Sequence, residues 1–426
     1  MPPPIDGSAT LSPARIRLAL LSLALGGFGI GATEFVAMGL LPNLARDLLP
    51  GLYATAPDAA NAQIGWLISA YALGVVVGAP TIAAAAARWP RKQLLLALLA
   101  AFTLATIASA LLPTFGLVLV ARFVAALPHG AYFGIASLVA ADLMGAGKRA
   151  RGVALVLSGL TISNVIGVPV ITWIGQVSGW RVAYLVVAAV FAVTFLAVIL
   201  LVPFQAGNPR ATMRNELKAF GRLQVWFALG IGAIGFGGLF AVYTYVAPLV
   251  IEVTGLGAGA VPLVLVVIGL GMTIGNLLGG HLADKSVRRT LYGFFAVMIM
   301  ALVGLALSAQ FLPGLLAGVF LVGGASAGLS PAIQTRLMDV SHDSQSIAAA
   351  LNHSALNIGN ALGAFLGGLA IAGGLGYVAP VWIGAALSVM GLSLAVVSFA
   401  IDRSWRRNGR HVPYGTALIE VVTDAA

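Results

Sequence analysis

Glu34 and Arg122 are the two charged side chains that fall deep inside long apolar stretches of this 426-residue sequence. A charge at the centre of a bilayer costs at least ~2.5–3.5 kcal/mol on insertion scales, so such residues pair with something and mark function by default. A carboxyl can load and release a proton, and its distance from a neighbouring arginine tunes how readily it does so. Counting 1.5 Å per helical residue, Glu34 sits roughly 13 Å below the outer surface, nine residues before Asn43. Arg122 sits about 12 Å below the same surface, eight residues after Thr114. The matched depth permits pairing or sensing between them. Two readings follow: proton coupling, with Glu34 loading from outside and releasing to the cytoplasm, or a static ion pair that fixes packing.

The elements that must position these residues are membrane helices. Hydrophobic residues make up 60% of the chain and charged residues 8%, against roughly 25% charged in a soluble domain. Twelve apolar stretches are expected to span, at about 17–44, 63–87, 93–113, 114–141, 152–175, 181–203, 225–250, 259–282, 290–311, 313–335, 346–373 and 377–401. The first continues too far to read as a removed signal segment. The formal charge of +10 is distributed by topology, which argues against nucleic acid as its partner. Of the 23 Lys and Arg residues, 20 fall on one side of this layout, while Arg46 and Arg181 are on the other and Arg122 is within a span. That asymmetry puts both termini in the cytoplasm and demands an even number of crossings. Cysteine is absent, which excludes disulfides, thiolate metal sites and cysteine nucleophiles.

The chain repeats itself in parallel. Ser158-Gly-Leu-Thr-Ile-Ser-Asn164-Val-Ile-Gly167 lies over Ser354-Ala-Leu-Asn-Ile-Gly-Asn360-Ala-Leu-Gly363, and Ala87-Arg-Trp-Pro-Arg91-Lys92 lies over Asp284-Lys-Ser-Val-Arg288-Arg289. The expected fold is therefore all-α, with twelve transmembrane helices in two six-helix bundles related by an axis along the membrane normal. Residues 1–203 form the first bundle, 204–224 a cytoplasmic linker, 225–402 the second bundle and 403–426 a cytoplasmic tail. A short surface helix is expected from Thr212 to Phe220. Glycine runs at 230–238 and 359–368 serve either tight packing or packing with two states.

Several segments, in this order and at these depths, resemble the major facilitator superfamily and, within it, the twelve-span drug–proton antiporters. They are Gly31-Ala-Thr-Glu34-Phe-Val-Ala-Met-Gly-Leu-Leu-Pro42, Ala121-Arg122-Phe-Val-Ala-Ala-Leu-Pro-His129-Gly-Ala-Tyr-Phe-Gly134, Gly167-Val-Pro169, Tyr243-Thr-Tyr245-Val-Ala-Pro248, Gly280-His-Leu-Ala-Asp284-Lys-Ser-Val-Arg288-Arg289 and Asn352-His-Ser-Ala-Leu-Asn357-Ile-Gly-Asn360. The subgroup resembled is that of sugar-efflux (arabinose-efflux-like) and chloramphenicol-resistance-like exporters. The resemblance implies the major facilitator fold, adjacency of the first and fourth spans, and an antiporter motif at Gly167 and Pro169. It also implies a cytoplasmic gate drawn from Arg91, Asp284 and Arg288. The first copy of the loop motif carries Ala83, Ala87 and Pro90 where the family has Gly, Asp and Gly. The acidic half of that latch is thus expected to be missing from the first bundle, leaving its loop a plain basic anchor.

Other residues carry open readings. Pro169 removes a backbone donor and should bend or loosen the fifth span. Asn164, Asn357 and Asn360 either hold helices together or line a cavity. Tyr243 and Tyr245 fall near the outer end of their span, where an aromatic belt is the ordinary explanation, although the cavity is the alternative for Tyr243. His129 and His353 either relay protons or sit neutral in hydrogen bonds. Phe35, Met38, Phe133 and Trp173 would supply apolar cavity walls. No metal-like cluster and no phosphate-cradling loop are present, so no cofactor is expected and the proton gradient is the energy source. The expected protein is a monomeric, non-enzymatic, proton-coupled exporter of small organic solutes in a bacterial inner membrane. A drug such as a chloramphenicol-like compound, or a sugar- or nucleoside-like metabolite, is the expected cargo. A passive facilitator or importer is the alternative, and a membrane-embedded enzyme a distant one.

Overall fold

The computed structural model describes residues 12–85, 89–145, 148–205, 221–341 and 345–407. Arg88, the Thr212–Phe220 segment and the tail beyond 407 lie outside the described residues. Eleven helices among them are long and apolar enough to cross a membrane. One, Ala258–Ser308, runs 51 residues and is broken at Ser286, where an extended backbone (φ −168°, ψ 102°) interrupts the helix. Counting its halves separately gives twelve crossings.

The first bundle holds α1 (Pro13–Gly39), α2 (Pro57–Ala85), α3 (Arg91–Leu111), α4 (Phe115–Met144), α5 (Arg151–Ser178) and α6 (Trp180–Leu201). The second holds α7 (Leu223–Thr244), α8 (261–285), α9 (287–308), α10 (Leu312–Ser341), α11 (Gln345–Ala372) and α12 (Ala379–Arg407). Local sequence sets the ends. Ser12 caps α1 by accepting the Arg15 amide, with Pro13 at the first helical position, and Thr114 caps α4 by accepting the Leu117 amide. Loops on the side of the termini carry most of the Lys and Arg; that side is the basic face below.

Proline shapes two helices near the centre. Pro169 has no amide to offer the carbonyl four residues earlier, and α5 widens into a π-turn over Ser163–Gly167 just before it. Pro128 interrupts α4 between Ala126 and His129. Between bundles, α2 packs on α11 and α5 on α8, while α1 reaches α7. Glycine governs how near these helices come. A Cβ on Gly269 of α8 would lie 2.5 Å from the Asn164 carbonyl oxygen in the α5 π-turn, and one on Gly275 would lie 1.9 Å from the Gly324 carbonyl oxygen of α10.

Two expectations about charge are corrected. Arg336 is not a loop cation: it is buried in α10, ion-paired with Asp402 of α12 and bonded to Gln224 Oε1 at 2.9 Å and Ser398 Oγ at 3.2 Å. Glu34 and Arg122 are therefore not the only buried charges in the helices. The first-bundle latch is not missing its acid either. Arg91, at the start of α3, pairs with Asp142 near the end of α4, so an aspartate from another helix stands in for the one absent at position 87.

Candidate functional site

Glu34 faces the other bundle. It lies five residues from the end of α1 and is 2% exposed. Asn360 Nδ2 of α11 donates to its Oε1 at 3.3 Å, joining residues 326 positions apart. The expected contact with Arg122 is replaced by proximity alone, since no ion pair joins the two. Arg122, fully buried, turns its Nη1 to the Thr33 carbonyl oxygen at 2.8 Å and to Thr33 Oγ1 at 3.2 Å. Its guanidinium lies over the Tyr71 ring at 4.3 Å and the Tyr184 ring at 5.5 Å. Among the described residues its Nε and Nη2 have no hydrogen-bond partner. Arg122 is thus anchored on Thr33, the residue before Glu34, with donors to spare.

Apolar walls converge beside this pair. Phe35 stacks on Tyr243 at 5.2 Å and on Phe240 at 6.3 Å, so rings from α1 and α7 meet across the bundle boundary. Met38 is buried one turn further along α1. The belt explanation for the tyrosines is overturned: Tyr243 and Tyr245 are both buried, and Tyr245 donates to the Ala364 carbonyl oxygen at 2.6 Å. Asn357 and Asn360 are fully buried with their Oδ1 atoms unpartnered among the described residues, as is the Tyr243 hydroxyl. Such orphaned groups in a low-dielectric interior are costly and suit a ligand that supplies donors.

Other expected positions distribute differently. Asn164 is buried in the π-turn at the α5–α8 contact and takes no part in the Glu34–Asn360 bond that its repeat partner makes. Trp173 is corrected: at 56% exposure it lies on the outer surface of α5 and lines nothing. Gly167 leaves room for the Phe28 ring, to which a Cβ would come within 2.6 Å. His129 and Phe133 of α4 meet His353 of α11 nearer the basic face. Of the expected gate, Arg91 bonds within its own bundle, while Asp284 and Arg288 are exposed and form no ion pair with each other.

Sequence reasoning passed over several residues. Tyr71 links Arg122 to His129, with its hydroxyl 3.3 Å from Nδ1. On the face opposite the basic one, Tyr377 donates to Asp58 Oδ1 at 2.7 Å and accepts from Asn61 Nδ2 at 2.8 Å. Burial pushes the Tyr377 phenol well above the ordinary tyrosine range, with the Asp58 carboxylate adding to the effect. No sequence pattern marked these, because each contact joins ordinary tyrosines to residues distant in the chain.

Two six-helix bundles packed face to face, with a carboxyl and its hydrogen-bond partner at their boundary, define a polytopic membrane transporter. The model of the Major Facilitator Superfamily matches residues 23–352 and 261–419. The chain is 38% identical over 384 residues to the inner membrane transport protein YdhP of Escherichia coli (strain K12), covering 90% of this chain and 96% of that one. It is 31% identical over 382 residues to a chloramphenicol resistance protein of Streptomyces lividans, covering 89% and 95%. The chain belongs to the Major Facilitator Superfamily. Its fold is similar to that of a D-xylose-proton symporter, with TM-score 0.69 at 17% identity over 89% of this chain and 97% of that one. A bacterial Spinster homologue in an inward-facing, occupied conformation gives TM-score 0.66 at 16% identity, over 91% and 97%.

Proposed function

We propose that this transporter exports small organic solutes in exchange for protons by alternating access. The observation that carries the reading is the cross-bundle bond from Asn360 to Glu34. When the boundary opens to the outside, Glu34 is wetted and takes up a proton. When it opens to the cytoplasm, Glu34 gives the proton up and cargo occupies the place. The carboxyl and Asn360 sit on different bundles, so their bond forms or breaks with each rocking movement. Protonation is thereby tied to conformation. Phe35, Met38, Phe240 and Tyr243 provide a tolerant apolar wall, and Asn357 and Asn360 provide acceptors. A neutral or singly charged cargo with a flat apolar part and hydroxyl or amide donors fits that composition. A chloramphenicol-like drug and a nucleoside-like metabolite both meet it.

The basic face is taken as cytoplasmic by the positive-inside rule. The resistance relative favours export and the inner membrane relative favours that membrane. The unit is a monomer, since a monomer contains both halves of the boundary. The direct test is a panel of compounds screened for growth protection with and without expression. Hits are then added to everted vesicles carrying a proton gradient. Proton release on adding a hit supports exchange; cargo movement without proton flux would favour passive facilitation.

A further inference from the structure

We infer that His129 and His353 form a proton-operated gate on the basic side of the boundary, a second titrating station distinct from Glu34. The two imidazoles come from opposite bundles and meet edge to face, with ring centroids 6.3 Å apart. Phe133 lies parallel to His353 at 5.4 Å and tilted against His129 at 5.6 Å. Tyr71 completes the cluster through its hydroxyl, 3.3 Å from His129 Nδ1. His353 lies seven residues before Asn360 on α11, about 10 Å closer to the basic face. The cluster therefore stands between the Glu34 layer and that face. A contact path also runs back to the layer: Tyr71 lies under the Arg122 guanidinium, and Arg122 is bonded to Thr33, next to Glu34.

Two neutral rings packed on Phe133, His129 buried and His353 half-buried, make a largely apolar contact between the bundles. An imidazolium there has no carboxylate against it among the described residues; the titratable group in contact with the pair is Tyr71, with Tyr132 against Phe133 behind it and Arg122 one contact further off, on the Tyr71 ring. A cation in such a place is stable only where water reaches it. A proton on the pair therefore favours the arrangement in which α4 and α11 part on the basic side. The inference rests on the proposed coupling only for the direction of travel: a proton leaving Glu34 reaches the pair, opens the inner side and escapes through it.

The chain has no cysteine, so L155C on α5 and L282C on α8 can be spin-labelled uniquely, and both positions are exposed near the basic face. In the purified transporter, the distance between labels is expected to widen as pH falls below the ordinary histidine pKa of about 6.5 toward about 4, because the pair takes up charge only as it is wetted. The H129Q/H353Q double variant is expected to lose that widening. H353F, which keeps a flat ring against Phe133, is expected to stay closed at both pH values and serves if the double variant does not fold. E34Q is expected to keep the widening, since the pair titrates by itself. Widening unchanged in H353F or the double variant would overturn the gate, as would a wild-type protein whose distance ignores pH. Accumulation against a gradient by E34Q would instead overturn the coupling role of Glu34 and leave the distance result standing.

Discussion

At the residue scale, Arg122 is held by two different kinds of contact, and they can be separated. Its Nη1 satisfies Thr33, and its flat face covers Tyr71 at 4.3 Å. Lysine keeps a charge near Thr33 but loses the planar stack, which is worth about 0.5–2 kcal/mol. Alanine loses both, including a charge-assisted bond to a buried helix carbonyl worth about 1.5–3 kcal/mol. Arg122→Lys should retain a several-fold reduced transport rate, and Arg122→Ala should fall to background with a lower thermal midpoint. Rate and melting measurements on both variants check this; equal loss would assign Arg122 to guanidinium geometry alone. Glu34 was legible in the sequence because a carboxylate among apolar residues is costly, and Asn360 because it matches Asn164 in the repeat. Their bond was not legible, since nothing local to either residue names a partner 326 positions away. Composition also could not show which way Trp173 points, and its exposed ring faces away from the boundary.

At the element scale, the α5–α8 contact is a seam between bundles where glycine lets two backbones meet. Gly269 gives its missing Cβ to the Asn164 carbonyl, and the π-turn that brings that carbonyl forward precedes Pro169. Gly269→Val would force apart two backbones that have no flexible side chain to yield. Overpacking of this kind costs about 1–3 kcal/mol. The variant should reach the membrane at near-normal level yet lose at least most of its transport, as quantified by immunoblot beside vesicle flux. Normal flux would mean that the seam is already loose. The helices and their order were readable because apolar length and basic loops are strong signals. A proline-weakened fifth span was readable too, although its form as a π-turn was not. Arg336 shows the limit of counting: a cation near a helix end reads as a loop anchor until a carboxylate from another helix, Asp402, is seen beside it. Asp142 shows the same limit for Arg91.

At the scale of the whole molecule, the bundles touch on both sides of the Glu34 layer. The Tyr377 hydroxyl ties the loop before α12 to Asp58 and Asn61 of α2 on one side, and the His129–His353 cluster spans the other. Tyr377 has its phenol raised by burial, so its contribution is fully present below the ordinary tyrosine pKa of about 10 and is lost only above that range. Tyr377→Phe removes a donor and an acceptor at a buried site, worth about 1–3 kcal/mol. Labels placed across this face should report a larger open fraction in the variant at neutral pH, and the wild-type distance should stay constant up to about pH 10. A variant indistinguishable from wild type would mean that the Tyr377 bonds do not hold this face closed. The role of the carboxyl between the bundles is read out by cargo-driven proton flux in proteoliposomes, compared for wild type and Glu34→Gln. Glutamine keeps the shape and the hydrogen bond to Asn360 but cannot carry a proton. The variant is expected still to exchange labelled for unlabelled cargo while its proton flux and uphill accumulation disappear; accumulation against a gradient by Glu34→Gln would rule out a coupling role for the carboxyl.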